Sequence, residues 1–322
     1  MATGNGAYII HQILGHRIPN YHICDYNPYW TLFPPALPFL CRRQGIPDLI
    51  HTTPDYAAFF KRGKSPLIVT FHNFVLDKEM KVFSTLLQWI HYQTDLRFFT
   101  RKALSAATVV TAVSNFTAEL VKKELGYRGN VQVIYDGVNT NTFFPKQKKE
   151  SALIEVLFSG NLTRRKGVEL LPLIADKLNE NIKILYTTGL RTKKKLPAHP
   201  NLKNIGAVPY SYMPKIYQET DILLFPTVRE GFGLAAAEAM ACGLPVVATN
   251  CSSLPELINE GKGGFLCPVG DVDAFAEKIN ILADSPRLRK EMGGYNRAKV
   301  EKMFTLERMV TKYWNLFEEI LA

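Results

Sequence analysis

Residues 222–248 decide the fold, and they read ILLFPTVREGFGLAAAEAMACGLPVVA. The apolar run Ile222–Phe225 predicts a buried strand, and the proline and the Gly-Phe-Gly that follow it predict a tight loop. Helix-forming residues occupy Leu234–Ala241, Gly243 is placed as a C-cap, and Val246–Ala248 begins the next strand. The stretch therefore predicts a strand–loop–helix–strand unit of a parallel sheet.

Two carboxylates lie in this stretch, Glu230 in the loop and Glu238 on the helix. Ligands of open parallel sheets bind outside the carboxyl ends of the strands. Gly231 and Gly233 allow the backbone to approach a ligand, and the N–H groups at the start of the helix favour an anion such as a phosphate. A diphosphate flanked by two acceptors for hydroxyl groups describes a nucleotide sugar better than a bare nucleotide.

The stretch resembles the signature of the family 4 retaining glycosyltransferases, which have the GT-B fold. That signature has two glutamates separated by seven residues, Gly-Phe-Gly after the first and Glu-Ala-Met-Ala-x-Gly-x-Pro-Val from the second, and it runs here from Glu230 through Val246. Without the resemblance, an ordinary turn with solvated glutamates would fit equally well. The resemblance implies an α/β protein of two Rossmann-like, doubly wound parallel-sheet domains facing a cleft. The donor-binding residues that it implies in this stretch are Gly231, Phe232, Gly233, Leu234 and Glu238.

A second phosphate-binding loop is predicted at residues 158–167, which follow a strand and open a helix. Lys166 matches the Lys-Gly of the family and is expected to neutralise charge on the departing diphosphate. Asn161 stands where the family has an arginine, so we consider Arg164 or Arg165 as a replacement for that cation. The alternative for Lys166 is a solvated lysine at a helix start. The nucleobase is expected near residues 187–189 and 208–210, by location in the family only.

The amino-terminal half supplies two further candidates. His72 follows the predicted strand Leu67–Phe71 and resembles the family histidine beside the donor sugar, although a lone histidine is more often a core residue. Gly4 and Gly6 resemble the glycine loop that approaches the donor, but the first strand that precedes this loop in the family is missing. Residues 136–139, Asp-Gly-Val-Asn, replace the family turn Asn-Gly-Val-Asp with its two polar residues exchanged.

Strand-like and helix-like runs alternate along the chain, which predicts doubly wound parallel sheets. Residues 145–150 form the best linker. We therefore predict an acceptor-binding domain over 1–146 and a nucleotide-sugar-binding domain over 147–304. The amphipathic segment 305–322 is expected to cross back onto the first domain, as in the family, the alternative being that it packs on its own domain. The predicted strands are Leu67–Phe71, Thr108–Val113, Val131–Ile134, Ile154–Phe158, Ile182–Tyr186, Ile222–Phe225 and Pro245–Ala248.

Composition limits the class of protein. The formal net charge is +10, and residues 1–150 carry 17 Lys and Arg against 10 Asp and Glu. This imbalance suggests an anionic partner, but no nucleic-acid module is recognisable and no nucleic-acid binding is predicted. No apolar run reaches the ~18–20 residues of a membrane span, residues 1–10 lack the basic start and apolar core of a signal peptide, and five cysteines show no Cys-x-x-Cys pairing. These features predict a cytoplasmic protein.

Two segments could contact an anionic membrane from the inner face. Residues 26–43 are rich in aromatics and prolines and end in a basic pair, and residues 83–101 mix apolar residues with arginines. A lipid-linked acceptor is therefore a hypothesis, although we slightly favour core-facing helices for both segments.

The sequence predicts a hexosyltransferase-type enzyme of polysaccharide or glycolipid assembly that moves a sugar from a nucleoside diphosphate sugar to an acceptor hydroxyl with retention. Glu230, His72 and Lys166 are the predicted catalytic residues, and Arg165 is a predicted donor contact. No metal or other cofactor is expected beyond the donor substrate. The alternatives are a non-catalytic nucleotide-sugar-binding or scaffold subunit and a GT-B-like nucleotide-sugar epimerase. The sugar, the base and the acceptor stay open.

Overall fold

Each half of the chain forms a parallel sheet of its own, as the alternation of strand-like and helix-like runs predicts. The chain divides into unit 1, which is Met1–Asp136 with Glu307–Ala322, and unit 2, which is Gly137–Leu306. The computed structural model describes residues 6–40, 46–61, 63–148, 151–188 and 196–322.

Within the described residues, unit 1 has four parallel strands whose spatial order is their order in the chain. They are β1 (Ile50–Thr52), β2 (Leu67–Phe71), β3 (Val109–Ala112) and β4 (Val131–Val133). All five residues of β2 are buried, which is typical of a parallel strand covered on both faces and accounts for its unbroken apolar run. The helices before β4 are α1 (Gly6–Arg17), α2 (Leu37–Leu40), α3 (Ala57–Phe60), α4 (Leu86–His91), α5 (Arg97–Ala106) and α6 (Asn115–Leu125).

Helices α4 and α5 are joined by one wide turn. Thr85 and Gln88 begin α4 with a reciprocal pair of side-chain hydrogen bonds to each other's backbone N–H. Tyr92–Leu96 then forms a π-helical turn that leads directly into α5. Leu96 belongs to the apolar core of unit 1, so the turn is anchored on its inner side.

Unit 2 has six parallel strands in the spatial order β10-β9-β8-β5-β6-β7. They are β5 (Ile154–Phe158), β6 (Ile182–Thr187), β7 (Leu202–Gly206), β8 (Ile222–Phe225), β9 (Val246–Thr249) and β10 (Gly264–Cys267). Its helices are α7 (Leu170–Ala175), α8 (Met213–Glu219), α9 (Leu234–Ala241), α10 (Leu254–Leu257), α11 (Val272–Asp284) and α12 (Pro286–Met303). The chain adds strands to one side of β5 and then, from β8, to the other. This reversal creates a crevice outside the carboxyl ends of β5 and β8.

All seven predicted strands are present, with ends that differ by at most one residue. The list of predicted strands lacks β1 of unit 1, and it lacks β7 and β10, which are the two edges of the sheet of unit 2. No residue of β7 is fully buried, so its sequence lacks an apolar run. Strand β10 begins at Gly264, and a Cβ at this position would lie 1.9 Å from the Val246 carbonyl oxygen. A glycine, which usually indicates a loop, is therefore required here by the packing of the strand.

The units divide between Asp136 and Gly137, and not near residue 146 as the linker composition suggested. Residues 137–148 pack on unit 2. The Val138 N–H donates to the Phe304 carbonyl at 2.8 Å, and Arg297 donates to the Phe143 carbonyl at 2.7 Å. Lys148 pairs with Asp221 at 2.9 Å. The polar residues that suggested a linker therefore lie next to a segment that hydrogen bonds hold on unit 2.

The terminal helix α13 (Leu306–Leu321) belongs to unit 1 from Glu307 onward. Met309, Tyr313 and Phe317 recur every four residues along it and are all buried. Phe317 stacks on Tyr21 with a centroid separation of 6.0 Å.

Both segments for which we favoured core-facing helices expose large apolar side chains, so that preference is wrong for a large part of them. Tyr29 and Leu32 are 80% and 85% exposed, and Leu86 and Leu87 of α4 are 72% and 79% exposed. The basic pair at 42–43 lies outside the described residues. None of the described helices is long and apolar enough to cross a membrane.

Candidate active site

The loops after β5 and β8 are in direct backbone contact. The Val228 N–H donates to the Arg165 carbonyl at 3.0 Å, and the Thr227 hydroxyl donates to the same oxygen at 3.2 Å. Gly167 has a φ of +74°, and a Cβ there would lie 2.2 Å from the Pro226 carbonyl oxygen. Only glycine fits this approach, so the Lys166-Gly167 sequence is needed to bring the two loops together.

Lys166 and Glu230 form an ion pair between these loops, with 2.5 Å from Nζ to Oε1. Their side chains are 15% and 12% exposed. The Thr227 hydroxyl donates to the same carboxylate oxygen at 2.8 Å, and Nη1 of Arg165 lies 3.9 Å from it. Lys166 also lies 5.2 Å from the centre of the Phe225 ring. One carboxylate therefore faces two cations and a hydroxyl donor.

The charges around Glu230 outweigh its burial. Burial acts to raise the pKa of this carboxyl, but Lys166, Arg165 and the hydroxyl of Thr227 lower it below the ordinary value. Glu230 is thus a carboxylate at neutral pH, and the pair supplies both a buried cation and a buried anion.

Ser252 and Ser253 hold the Glu230 loop by hydrogen bonds. The Glu230 N–H donates to Oγ of Ser252 at 2.8 Å, and the Ser253 hydroxyl donates to the Phe232 carbonyl at 2.9 Å. Ser252 has a φ of 58°, a left-handed conformation that is uncommon outside glycine. The sequence analysis missed both serines; their position just before the short helix α10 was the available signal.

The predicted Gly-Phe-Gly loop ends at the start of α9. Gly233 is the N-cap residue of this helix, with a φ of 103°, and Leu234 is its first residue. Phe232 is buried and packs edge-on against Phe304 at 5.4 Å. Gly231 is buried as well. Of the predicted donor contacts in this loop, Phe232 packs in the core, whereas Leu234 lies in the first turn of the helix, where backbone N–H groups lack intrahelical partners.

Glu238 lies on α9 in a separate set of contacts. Its two oxygens accept hydrogen bonds from the hydroxyls of Tyr210, at 2.8 Å, and Tyr217, at 3.2 Å. Burial raises the pKa of Glu238 to about 7, although both tyrosine bonds act to lower it. Tyr217 is fully buried and Tyr210 is half exposed. The sequence placed Tyr210 near the nucleobase, and the structure connects it to Glu238.

His72 follows β2 in unit 1 and has neighbours of its own. Its Nδ1 lies 3.8 Å from Oδ1 of Asp136, and both side chains are largely buried. The ring of His11 lies 5.5 Å away. The two ring nitrogens of His51 contact the hydroxyls of Tyr21, at 2.9 Å, and Thr70, at 2.7 Å.

The sequence of this chain matches two known protein families. Residues 139–299 match the family described as glycosyl transferases group 1, and residues 3–142 match Glycosyltransferase Family 4. The chain belongs to the group 1, family 4 glycosyltransferases. The predicted family, the GT-B fold of two parallel-sheet α/β domains and the hexosyltransferase type of enzyme are thereby confirmed.

Several known proteins are similar to this glycosyltransferase. The N-acetyl-alpha-D-glucosaminyl L-malate synthase of Bacillus anthracis is 25% identical over 94% of this chain and 83% of that protein. The capsular polysaccharide biosynthesis glycosyltransferase CapM of Staphylococcus aureus is 25% identical over 75% of this chain and 71% of that protein. The structure of Anabaena HepE in complex with UDP-glucose has a TM-score of 0.74 at 20% identity, covering 98% of this chain and 90% of that one.

The glycosyltransferase brings together only some of its predicted site residues. Lys166, Arg165 and Glu230 meet in unit 2. Arg165 is the arginine that turns to Glu230, whereas Arg164 pairs with Glu169 on the surface at 3.1 Å. Residues 4 and 189 lie outside the described residues. Gly6 is the first residue of α1 and so belongs to a helix in this structure.

Proposed function

We propose that this glycosyltransferase moves a sugar from a nucleoside diphosphate sugar to an acceptor hydroxyl with retention of configuration. The observation that carries the proposal is the Lys166–Glu230 pair at the carboxyl ends of β5 and β8. HepE, a protein of similar fold, was solved with UDP-glucose, and a nucleotide sugar supplies a diphosphate and sugar hydroxyls for such a pair.

Lys166 is proposed to stabilise the leaving diphosphate. Its Nζ is largely buried, so its charge is weakly screened by water and acts strongly on a nearby phosphate. A bound diphosphate would take over Lys166 from Glu230, with Arg165 and the first-turn N–H groups of α9 adding positive potential. With these charges in place, we propose that transfer needs no metal ion.

Glu230 is proposed to hold the sugar. Once Lys166 has turned to the diphosphate, the carboxylate can accept sugar hydroxyls and favour positive charge at the anomeric carbon. The bond from that carbon to the diphosphate oxygen breaks, and the bond to the acceptor oxygen forms on the same face. The acceptor proton passes to the leaving diphosphate oxygen, so no separate base is required. Same-face replacement retains the configuration.

Glu238 is proposed to bind the ribose. Its oxygens already accept one hydrogen bond each, and the half-exposed Tyr210 is the partner that a ligand can replace. A ribose hydroxyl would then donate to Oε1 while Tyr217 stays in place.

Nucleotide binding followed by product analysis tests the proposal. Thermal unfolding is measured with UDP, GDP, ADP and CMP; a ligand at ~100 times its dissociation constant adds about 2.7 kcal/mol, which is several degrees. Sugars linked to the best diphosphate are then assayed for transfer to glycan and lipid-linked acceptors, and the anomeric configuration is determined by NMR. An inverted product contradicts retention, an epimerised donor supports the epimerase alternative, and binding without transfer or hydrolysis supports the scaffold alternative.

We further propose that unit 1 contacts an anionic membrane that presents a lipid-linked acceptor of polysaccharide or glycolipid assembly. Helix α4 and its neighbours expose apolar side chains that a soluble surface would not favour. They are Val82, Leu86, Leu87, Ile90 and Phe98. A second group lies at residues 29–33, where Tyr29, Leu32 and Phe33 are exposed.

Charge favours a lipid surface over an apolar protein partner. Exposed Lys78, Lys81, Arg101 and Lys102 flank the apolar side chains in the chain. The Lys102 ammonium lies 4.8 Å from the centre of the exposed Phe98 ring. Apolar side chains bordered by cations match the acyl boundary and the anionic headgroups of a bilayer.

Vesicle sedimentation tests the membrane proposal. The full chain is expected to sediment with vesicles that contain phosphatidylglycerol and to stay free of pure phosphatidylcholine. Leu87→Glu should lose most of this binding, whereas Leu173→Glu, at a half-exposed leucine on α7 of unit 2, should keep it. Equal binding by both variants, or no binding by the wild type, contradicts the proposal.

A further inference from the structure

The turn after β4 differs from the family pattern at two positions. Asp136 stands where that pattern has asparagine, and Asn139 stands where it has aspartate. The exchange keeps the turn but moves a carboxyl group to the first position. In the structure Asp136 is 5% exposed, so this carboxyl group is buried.

The buried carboxyl group faces His72. The distance from Oδ1 of Asp136 to Nδ1 of His72 is 3.8 Å, slightly beyond hydrogen-bond range. Within the described residues, both ring nitrogens of His72 and Oδ1 of Asp136 are buried without a hydrogen-bond partner. Buried polar groups are rarely left in this state, and a shortening of this distance by less than about 1 Å would join these two groups in a hydrogen bond.

The other titratable groups around His72 are neutral, and among the described residues the hydroxyl of Tyr313, which interacts electrostatically with Asp136, is also buried without a hydrogen-bond partner. Burial lowers the pKa of His11 and of His51, the latter to about 3, and raises the pKa of Tyr21 and Tyr313. Tyr21 donates to or accepts from both histidines. Asp136 is therefore the acidic group that the described part of unit 1 offers to His72.

We propose that Asp136 is a positioning residue that shares one proton with His72 and so fixes the tautomer of its imidazole. When the proton is present, the carboxylic acid donates to Nδ1 and the ring carries its hydrogen on Nε2. When the proton leaves, the ring hydrogen moves to Nδ1, donates to the carboxylate, and leaves Nε2 as an acceptor. An asparagine at this position has no proton to exchange.

The direction of this change follows from burial. Burial raises the pKa of Asp136 to about 8 and lowers that of His72 to about 4, so the pair holds one proton at neutral pH. Nε2 is then a hydrogen-bond donor below about pH 8 and an acceptor above it. For catalysis this inference rests on the proposed function, because only a sugar beside His72 would sense the difference.

Long-range 1H–15N correlation spectra of the seven histidines test the pairing without any substrate. The His72 signals are assigned by their loss in His72→Gln. In the full wild-type chain, Nδ1 should be unprotonated at pH 7 and become protonated with a midpoint near pH 8. The transition should vanish in Asp136→Asn and persist in Asp77→Asn, which alters another buried aspartate of unit 1. A His72 without this transition in the wild type overturns the inference, whether or not Asp136→Asn folds.

The pH dependence of kcat/KM tests the catalytic consequence. If a sugar oxygen accepts from Nε2, that donor is lost above about pH 8. The wild type should therefore lose activity there, by about tenfold for each pH unit, and Asp136→Asn should lack this limb. An identical limb in both overturns the catalytic role of the pair. A transition in the spectra together with no transfer activity in any variant would instead contradict the proposed function and leave the pairing intact.

Discussion

Both units place a basic side chain beside a buried carboxyl group at the carboxyl ends of parallel strands, but the two pairs differ in charge. In unit 2, Glu230 accepts from Lys166 and Thr227 and lies within 4 Å of Arg165, and its pKa is lowered. In unit 1, Asp136 has His72 at 3.8 Å, and its pKa is raised to about 8.

The difference shows what a buried carboxylate needs in order to stay charged. Desolvation opposes ionisation at both sites, and only the unit 2 site supplies enough positive charge and hydroxyl donors to reverse it. An imidazole, itself neutralised by burial, does not. One sheet edge therefore presents fixed charges, while the other presents a neutral pair that can exchange a proton.

The largest effect is expected when the carboxylate charge of Glu230 is removed. Glu230→Gln keeps the size of the side chain but removes its charge, and we expect kcat/KM to fall by about 10²–10³-fold because anomeric positive charge is no longer stabilised. Steady-state kinetics measure this, and thermal shift should show that free nucleoside diphosphate still binds. Arg164→Ala removes a surface ion pair with Glu169 and should stay within about twofold of wild type. Wild-type turnover in Glu230→Gln would contradict the assignment.

The next effect is on the stability of unit 2. Lys166→Met leaves Glu230 with Arg165 and Thr227 as partners, and we expect the free energy of unfolding to fall by about 2 kcal/mol. Glu230→Gln, in turn, leaves the largely buried Lys166 without its counter-charge. Urea denaturation of the single and double variants gives the coupling energy. The double variant should lose at least about 1 kcal/mol less than the sum of the single losses. Additive losses would mean that the charges do not stabilise each other.

A pH-dependent effect, small within any one pH unit, is expected in unit 1. Unfolded Asp136 ionises near its ordinary pKa of 3.8, whereas the folded residue keeps its proton up to about 8. The folded state therefore loses stability relative to the unfolded state as pH rises through this window, by at most ~1.4 kcal/mol per pH unit. The Tm of Asp136→Asn relative to wild type should increase from about pH 5 to about pH 8. A difference that does not change with pH would show that Asp136 is already charged when folded.

The smallest expected effect is that of metal removal. If Lys166 and Arg165 supply the charge for the leaving diphosphate, excess EDTA should leave the rate of transfer unchanged within error. The assay is made with dialysed enzyme, and Mg²⁺ is added back as the control. A loss that Mg²⁺ restores would show that these cations are not sufficient.

Sequence reasoning located the unit 2 site because its requirements are local. A strand, a glycine loop and a helix start each have a sequence signature. Gly167 is required by its close approach to Pro226, and Gly233 is favoured by its positive φ. The Lys166–Glu230 contact joins residues from two loops, but the order of parallel strands brings those loops together. The proximity of these two loops could thus be predicted from residue type and topology.

What the sequence did not reveal depends on packing between distant residues. Ser252 supports Glu230 from a left-handed backbone conformation, by a hydrogen bond between residues that are 22 positions apart in the chain. The edge strand β7 lacks an apolar run, and the segment after Asp136 looks like a linker although Arg297 holds it. The exchange at Asp136 was visible, but its meaning required the position of His72.

The π-helical turn at Tyr92–Leu96 sets the rotational phase of α5 relative to α4. Each residue of an α-helix advances by about 100°, and one extra residue in a wide turn cancels one such step. With the turn in place, Phe98 comes within about 40° of Leu86 and Ile90 around the helix axis, and Leu96 faces the core. Removing one residue from the turn would swing Phe98 away from its apolar neighbours and pull Leu96 out of its core position. The alignment of the exposed apolar side chains of α4 with Phe98 of α5 therefore depends on a single extra residue in the turn between the two helices.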